Sequence, residues 1–287
     1  MLTTQMLSNQ LFRYFDPISL DEVNSKAALL QRTDNKYLVP VDVFVEILRE
    51  ATDSFDVLTI SGQRMFAYST LYYDDSNYQC YQDHHNGRRL RVKVRERLYE
   101  QSDLKFLEVK LKSKRKMTIK YRMNAESETQ NFLTRDKFDF VNQKYSAQYS
   151  RDLDMSFKSS LAMRYYRFTL VGKYSSERVT VDSQLCFIGK SSLSTINDDQ
   201  LIVEVKSRNG SGEFDKLLRR NGIRSRKKLS KYCLGLCMTD KPGRPNNFLK
   251  SLRFLRYKTM PNGYESIENA LHNIQEGPGM AQYSINS

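Results

Sequence analysis

The stretch from Leu90 to Arg97 reads LRVKVRER: Arg91, Lys93, Arg95 and Arg97 are basic, while Leu90, Val92 and Val94 between them are apolar. Alternation at period two, with β-branched residues between the charges, predicts a half-buried strand, because successive side chains leave opposite faces of the pleat. Four cations then stand on one face, to be solvated by water or held by something anionic.

The same design recurs along the chain. In KFLEVKLK, Phe106, Glu108, Lys110 and Lys112 oppose Leu107, Val109 and Leu111; in TIKYRM, Lys120 and Arg122 oppose Ile119, Tyr121 and Met123. In ERVTVDS, Arg178, Thr180 and Asp182 oppose Val179 and Val181, and in LIVEVKS, Glu204 and Lys206 oppose Val203 and Val205. A single such strand reads as one solvated face of an antiparallel sheet. Together the strands read otherwise, since like charges side by side on one face repel unless an anion offsets them. The apolar faces need cover, and amphipathic helices can give it. The economical expectation is an α+β fold: a closed antiparallel β-barrel, helices outside, with a polar tunnel whose fixed cations hold a polyphosphate in reduced dielectric.

Composition agrees. Lys plus Arg number 46 against 33 Asp plus Glu in 287 residues, a net charge of +13, which favours phosphates, nucleic acid or an acidic membrane face. Against RNA, aromatic and basic residues are not interleaved, and no RNP-like or KH-like signature occurs. Cys80, Cys186, Cys233 and Cys237 form no CxxC pair and read as structural thiols of a reducing, cytoplasmic compartment. MLTTQMLSNQLFRYF lacks the pattern of a signal peptide, and no apolar run reaches the roughly 18 residues of a bilayer span.

Around the strands, SLDEV offers a capping box of Ser19 and Glu22 before a helix through Val23, Ala27 and Leu30. RTDNKYLVP reads as extended up to Pro40, and residues 42–51 as an amphipathic helix; FDVLTI and FAYSTLYYD are strands. YQDHHNGRR reads as a polar turn, residues 126–160 as a helical insert, and FDKLLRRNGIRSRKKLSKYCLGLC as helix broken at Asn221-Gly222. FLKSLRFLRYK reads as a basic amphipathic helix, packed rather than membrane-docked, before a disordered end from Gly277. His84 and His85 read as a loop feature rather than metal ligands, and Tyr72, Tyr73, Tyr78, Tyr81 and Tyr99 as core.

The motifs RTDNKYLV, YQDHHNGRRLRVKVRERLY, FLEVKLK, IKYR, YYRFTL, RVTVD, IVEVKS and SKYCLG resemble, in order and spacing, the VTC (vacuolar transporter chaperone) polyphosphate polymerase domain in its bacterial form, over roughly residues 10 to 240. The resemblance implies a triphosphate tunnel metalloenzyme fold with a C-terminal plug helix, and transfer of the ATP γ-phosphoryl group to a growing polyphosphate chain with Mn²⁺ or Mg²⁺. It implies a catalytic domain over 1–240 and a tail over 241–287. It matches Lys36, Arg95, Arg97, Lys110, Lys120, Arg167, Arg178 and Lys231 to the catalytic cations. Lys93, Arg122 and Lys206 would add substrate-binding charge, and Glu204, with Glu108 as a second carboxylate, would hold the metal. That proportion suits phosphoryl transfer, which asks of a protein mainly positioning and charge neutralisation.

Two departures stand out. Glu96 occupies an outward position where an apolar residue is expected, which predicts a bulge or a rim. There is no recognisable phosphate-sensing domain or membrane segment of the kind that accompanies the eukaryotic relatives, so any membrane partner is a separate chain. A tunnel triphosphatase is the alternative enzyme, and a non-catalytic polyanion-binding module the alternative of another class.

Overall fold

The structure, a computed structural model, describes residues 12–26, 33–113, 118–125 and 130–276. The alternating stretches are strands: β1 Pro17–Ile18, β2 Thr33–Pro40, β3 Phe55–Leu58, β4 Phe66–Asp74, β5 Val92–Tyr99, β6 Leu104–Lys112, β7 Thr118–Asn124, β8 Lys158–Gly172, β9 Arg178–Ile188, β10 Ser192–Ile196, β11 Gln200–Ser207 and β12 Tyr257–Pro261. The helices are α1 Leu20–Lys26, α2 Val41–Ala51, α3 Gln79–His85, α4 Arg135–Tyr149, α5 Glu213–Arg220, α6 Lys231–Thr239, α7 Leu249–Leu252 and α8 Ile267–Glu276.

Eight strands make one run in the order β2, β11, β9, β8, β4, β5, β6, β7, every neighbouring pair antiparallel. The long strands β8 and β9 each carry a third partner, β3 and β10; β1 and β12 extend those branches. Register shifts at Tyr72/Tyr73 and between Arg164 and Tyr166 bend the run. It curls far enough that Lys110 on β6 lies within electrostatic reach of Glu204 on β11.

The expected closure is not found: among the described residues, β2 and β7 pair only with β11 and β6, so the sheet is curled but open. The reason shows in β7, whose residues alternate between exposed and half-buried, with none buried, as suits an edge strand.

The outward faces carry the core. Helices α2 and α5 cover Val39, Leu170, Val179, Val181, Val203 and Val205, α4 covers Val92, Val94, Leu107, Val109 and Leu111, and α8 packs on β8 in the same cluster. Each such side chain contributes roughly 1.5–3 kcal/mol by leaving water. A third cluster lies on the inward side, where α6 packs on Leu161, Leu185 and Phe187. A Cβ at Gly235 would sit 2.6 Å from both Leu161 and Phe187, so only glycine allows that approach.

Several local expectations change. The capping box of Ser19 and Glu22 forms, with Ala27 and Leu30 outside the described residues. YQDHHNGRR is mostly helix, because the Asp74 carboxylate accepts the N–H groups of Cys80 and Tyr81 and starts α3. Among its described residues the insert is helical only over α4, its last residues having joined β8. FLKSLRFLRYK forms the short α7 and then β12, since burial of Phe248 and Leu255 and the edge of β10 divide it. No helix of the described residues is long and apolar enough to cross a membrane.

Glu96 causes no bulge: the pairing of β5 with β4 and β6 runs unbroken. Its carboxylate is buried under α4 and accepts from Lys137 at 2.8 Å, with Lys105 at 3.4 Å.

Candidate phosphate-binding groove

Strand register sets the inward cations side by side. Lys93, Lys110 and Lys120 align across β5, β6 and β7, as do Arg95, Glu108 and Arg122. Lys36, Glu204 and Thr180 align across β2, β11 and β9, next to the Lys206 and Arg178 pair.

The inward charge is not left for an incoming anion to balance alone, as the like-charge argument from sequence supposed. Three buried carboxylates of the described residues sit among the cations, with exposed Asp34 opposite Lys206 at the end of β2. Glu108 accepts from Arg95 Nε at 2.7 Å and from Lys120, with Arg97 at 3.9 Å. Burial would raise its pKa, but Arg95, Arg97 and Lys120 hold it well below the carboxylate range. Glu204 pairs with Lys206 at 2.5 Å and Lys36 at 3.6 Å, and despite burial stays well below its ordinary value. Asp182 binds Arg167 through two hydrogen bonds, 2.6 and 2.9 Å, and also pairs with Lys231 from the first turn of α6. Those cations outweigh its burial and lower its pKa to about 2.

Cations exceed these counter-charges. Lys93 donates to Ser230 Oγ at 2.9 Å and has its pKa lowered by burial. The charge of Arg95, then burial, pushes Lys110 well below the lysine range. Arg97 is buried beside Thr70 Oγ1, and its guanidinium lies 5.7 Å from the Tyr68 ring centre. Lys206 is pushed down to about 8 by burial, against the pull of Glu204. Arg178 is half-buried beside Lys206, while Arg122 is exposed over the Phe106 ring. Thus Lys36, Lys93, Arg95, Arg97, Lys110, Arg167, Lys206 and Lys231 gather on one concave face; Lys120 and Arg122 stand at its β7 edge.

Several contacts of the site were not foreseen from the sequence. Asp182 shares the inward parity of Arg178 in RVTVD, a signal that would have found it. Tyr72 faces inward and accepts from Arg95 at 2.9 Å, while Tyr68 and Tyr165 flank the Arg167 guanidinium at 5.2 and 5.3 Å. Tyr232 donates to buried Asp74, which fastens α6 to the start of α3 beside Lys231. His84 stays neutral, its pKa depressed first by burial and then by Lys93, Arg91, Lys228 and Lys36. No three acidic, histidine or cysteine side chains gather into a metal-binding group among the described residues.

A groove of this geometry can bind a chain of phosphates: arginine forks offer bidentate contacts, lysines mobile point charges, and partial burial strengthens both. Among solved structures, a Pyrococcus horikoshii OT3 protein aligns at 13% identity and TM-score 0.42, covering 71% of this chain and 98% of its own. A Hippeastrum adenylyl cyclase candidate with a dominant triphosphatase activity aligns at 11% identity and TM-score 0.43, covering 71% and 95%. No curated protein matches. The profile of the VTC domain matches residues 31–239, from just before β2 to the end of α6, and on that match the chain belongs to the VTC domain family.

Proposed function

We propose that this chain transfers the γ-phosphoryl group of ATP to a growing inorganic polyphosphate chain in the cytoplasm, with α6 plugging one end of the groove. One observation carries the reading: basic side chains from β2, β5, β6, β8, β11 and α6 converge on one concave face and outnumber the carboxylates described there. In this reading Arg95, Arg97, Lys110 and Arg167 neutralise equatorial phosphate oxygens, with Arg178 at the β9 entrance. Lys36, Lys206 and Lys231 hold neighbouring phosphates. Lys93, Lys120 and Arg122 extend the path, and the aligned positions keep attacking and leaving oxygens in line.

Glu204 fits a divalent ion, Mg²⁺ or Mn²⁺. Its Oε2 has only the longer contact, 3.6 Å to Lys36, and such ions take one or two carboxylates and complete their shell with phosphate oxygens and water. Bound there, the ion would offset charge on the transferring group. Glu108 fits less well, because Arg95 and Lys120 occupy its oxygens; we assign it the role of fixed counter-charge.

Incubation with ATP and Mn²⁺ is expected to give phosphate polymer longer than triphosphate, and Lys231→Ala or Arg97→Ala to abolish it. ADP and free phosphate as the only products would overturn the polymerase reading in favour of a triphosphatase. Polyphosphate binding without any turnover, unchanged in Glu204→Ala, would point to a non-catalytic polyanion binder.

A further inference from the structure

Basic residues continue beyond the groove. Arg91 lies one residue before β5, two before Lys93, and exposed Arg88 and Arg89 precede it. Across from them, the loop 221–230 carries Arg224, Arg226, Lys227 and Lys228. It is tied to β2 where the Arg226 N–H donates to the Lys36 carbonyl at 2.7 Å, and to β5 through Lys93 and Ser230.

Residues after the family match brace this loop. Ser251 Oγ donates to the Lys228 carbonyl at 2.9 Å, and the Arg226 guanidinium covers the Phe254 ring at 3.8 Å. Asn247 Nδ2 donates to the His85 carbonyl at 2.7 Å. The two basic stretches therefore meet where Lys36 and Lys93 end the groove, and His84 senses Arg91, Lys228, Lys93 and Lys36 together.

Arg88 is paired with Asp83 at 3.3 Å, but no described carboxylate lies in ion-pair range of Arg89, Arg224 or Lys227. Exposed like charges add little to folding; they do extend a positive potential outward from the groove.

We propose that this rim, with Arg89, Arg224 and Lys227 as its outer cations, is a track for the part of a long inorganic polyphosphate that lies outside the groove. The inference rests on the polymerase reading and adds a length preference to it. A triphosphate fills the groove without touching the rim, whereas a long chain gains contacts at every further cation. Nucleic acid fits less well, since Arg226 already covers the exposed aromatic face of Phe254 that a base would stack on.

The test is a triple charge reversal, Arg89→Glu, Arg224→Glu and Lys227→Glu, at positions outside the groove. Anisotropy of labelled long-chain polyphosphate at low salt is expected to show affinity reduced about tenfold, with competition by tripolyphosphate unchanged. Unchanged long-chain affinity would overturn the proposal, as would a larger loss for single-stranded DNA than for polyphosphate. These binding measurements need no turnover. A wild-type chain that made no polymer would therefore count against the polymerase reading alone.

Discussion

Arg95 and Glu96 are neighbours on β5, point to opposite faces, and each belongs to a buried ion cluster. Outward, Glu96 meets Lys137 and Lys105 beneath α4, and its side chain and that of Lys137 are 2% and 3% exposed. Inward, Glu108 meets Arg95 and Lys120, with Arg97 near, and there Lys120 is 40% exposed. Burial and pairing are common to both clusters, so neither property marks a site. What differs is balance and access: the outward cluster is sealed by a helix, while the inward one continues into Lys110 and Lys93, which form no ion pair with a described carboxylate, and opens to solvent.

That contrast makes predictions of decreasing size. Glu96→Ala strands the Lys137 ammonium in an apolar layer and is expected to cost about 3–5 kcal/mol in denaturant unfolding. Activity per folded molecule should survive. Turnover lost in proportion to stability would erase the distinction between the clusters.

Lys110→Met removes an inward cation pressed by Arg95. Catalytic efficiency should fall on the order of a hundredfold, as when one charge-stabilising donor is removed from other active sites. Melting temperature should rise by roughly 2–4 °C as repulsion is relieved. A lower melting temperature would mean that the groove is not strained by its own charge.

Glu108→Gln leaves Arg95 and Lys120 without their carboxylate. The melting temperature should drop, and tripolyphosphate should restore more of it than it adds to the wild type, because ligand binding to the folded state stabilises in proportion to affinity. The same addition to Glu96→Ala should show no such surplus, which separates an accessible cluster from a sealed one.

The smallest effect concerns pH. Lys206, pushed down to about 8 by burial, binds its proton less tightly in the empty groove than in the unfolded chain. A phosphate ligand favours the charged form, so tripolyphosphate affinity should hold below pH 8 and decline severalfold as pH rises through it. A flat titration curve between pH 7 and 9 would show that Lys206 stays outside the anion's reach.

Much of the site was legible because a strand's parity is legible. LRVKVRER, KFLEVKLK and LIVEVKS each place their charges on one face whatever the topology, and motif order then sets the faces together. Parity says nothing of what stands opposite. Thus Glu96 read as an irregularity, although Lys137, 41 residues away, was its partner. Asp182 passed as a bystander because Lys231 reaches it from a helix in another part of the chain. Closure was overestimated because alternation in TIKYRM fixes its faces and leaves the far edge unspecified; no strand of the described residues takes it.

Gly235 gives the arrangement a mechanical stop. Because Leu161 and Phe187 touch the helix where its glycine has no side chain, the depth to which α6 sinks, and with it the reach of Lys231 four residues earlier, is gauged by the width of one missing methyl. A single carbon there would act as a shim and move the lysine without altering any charge.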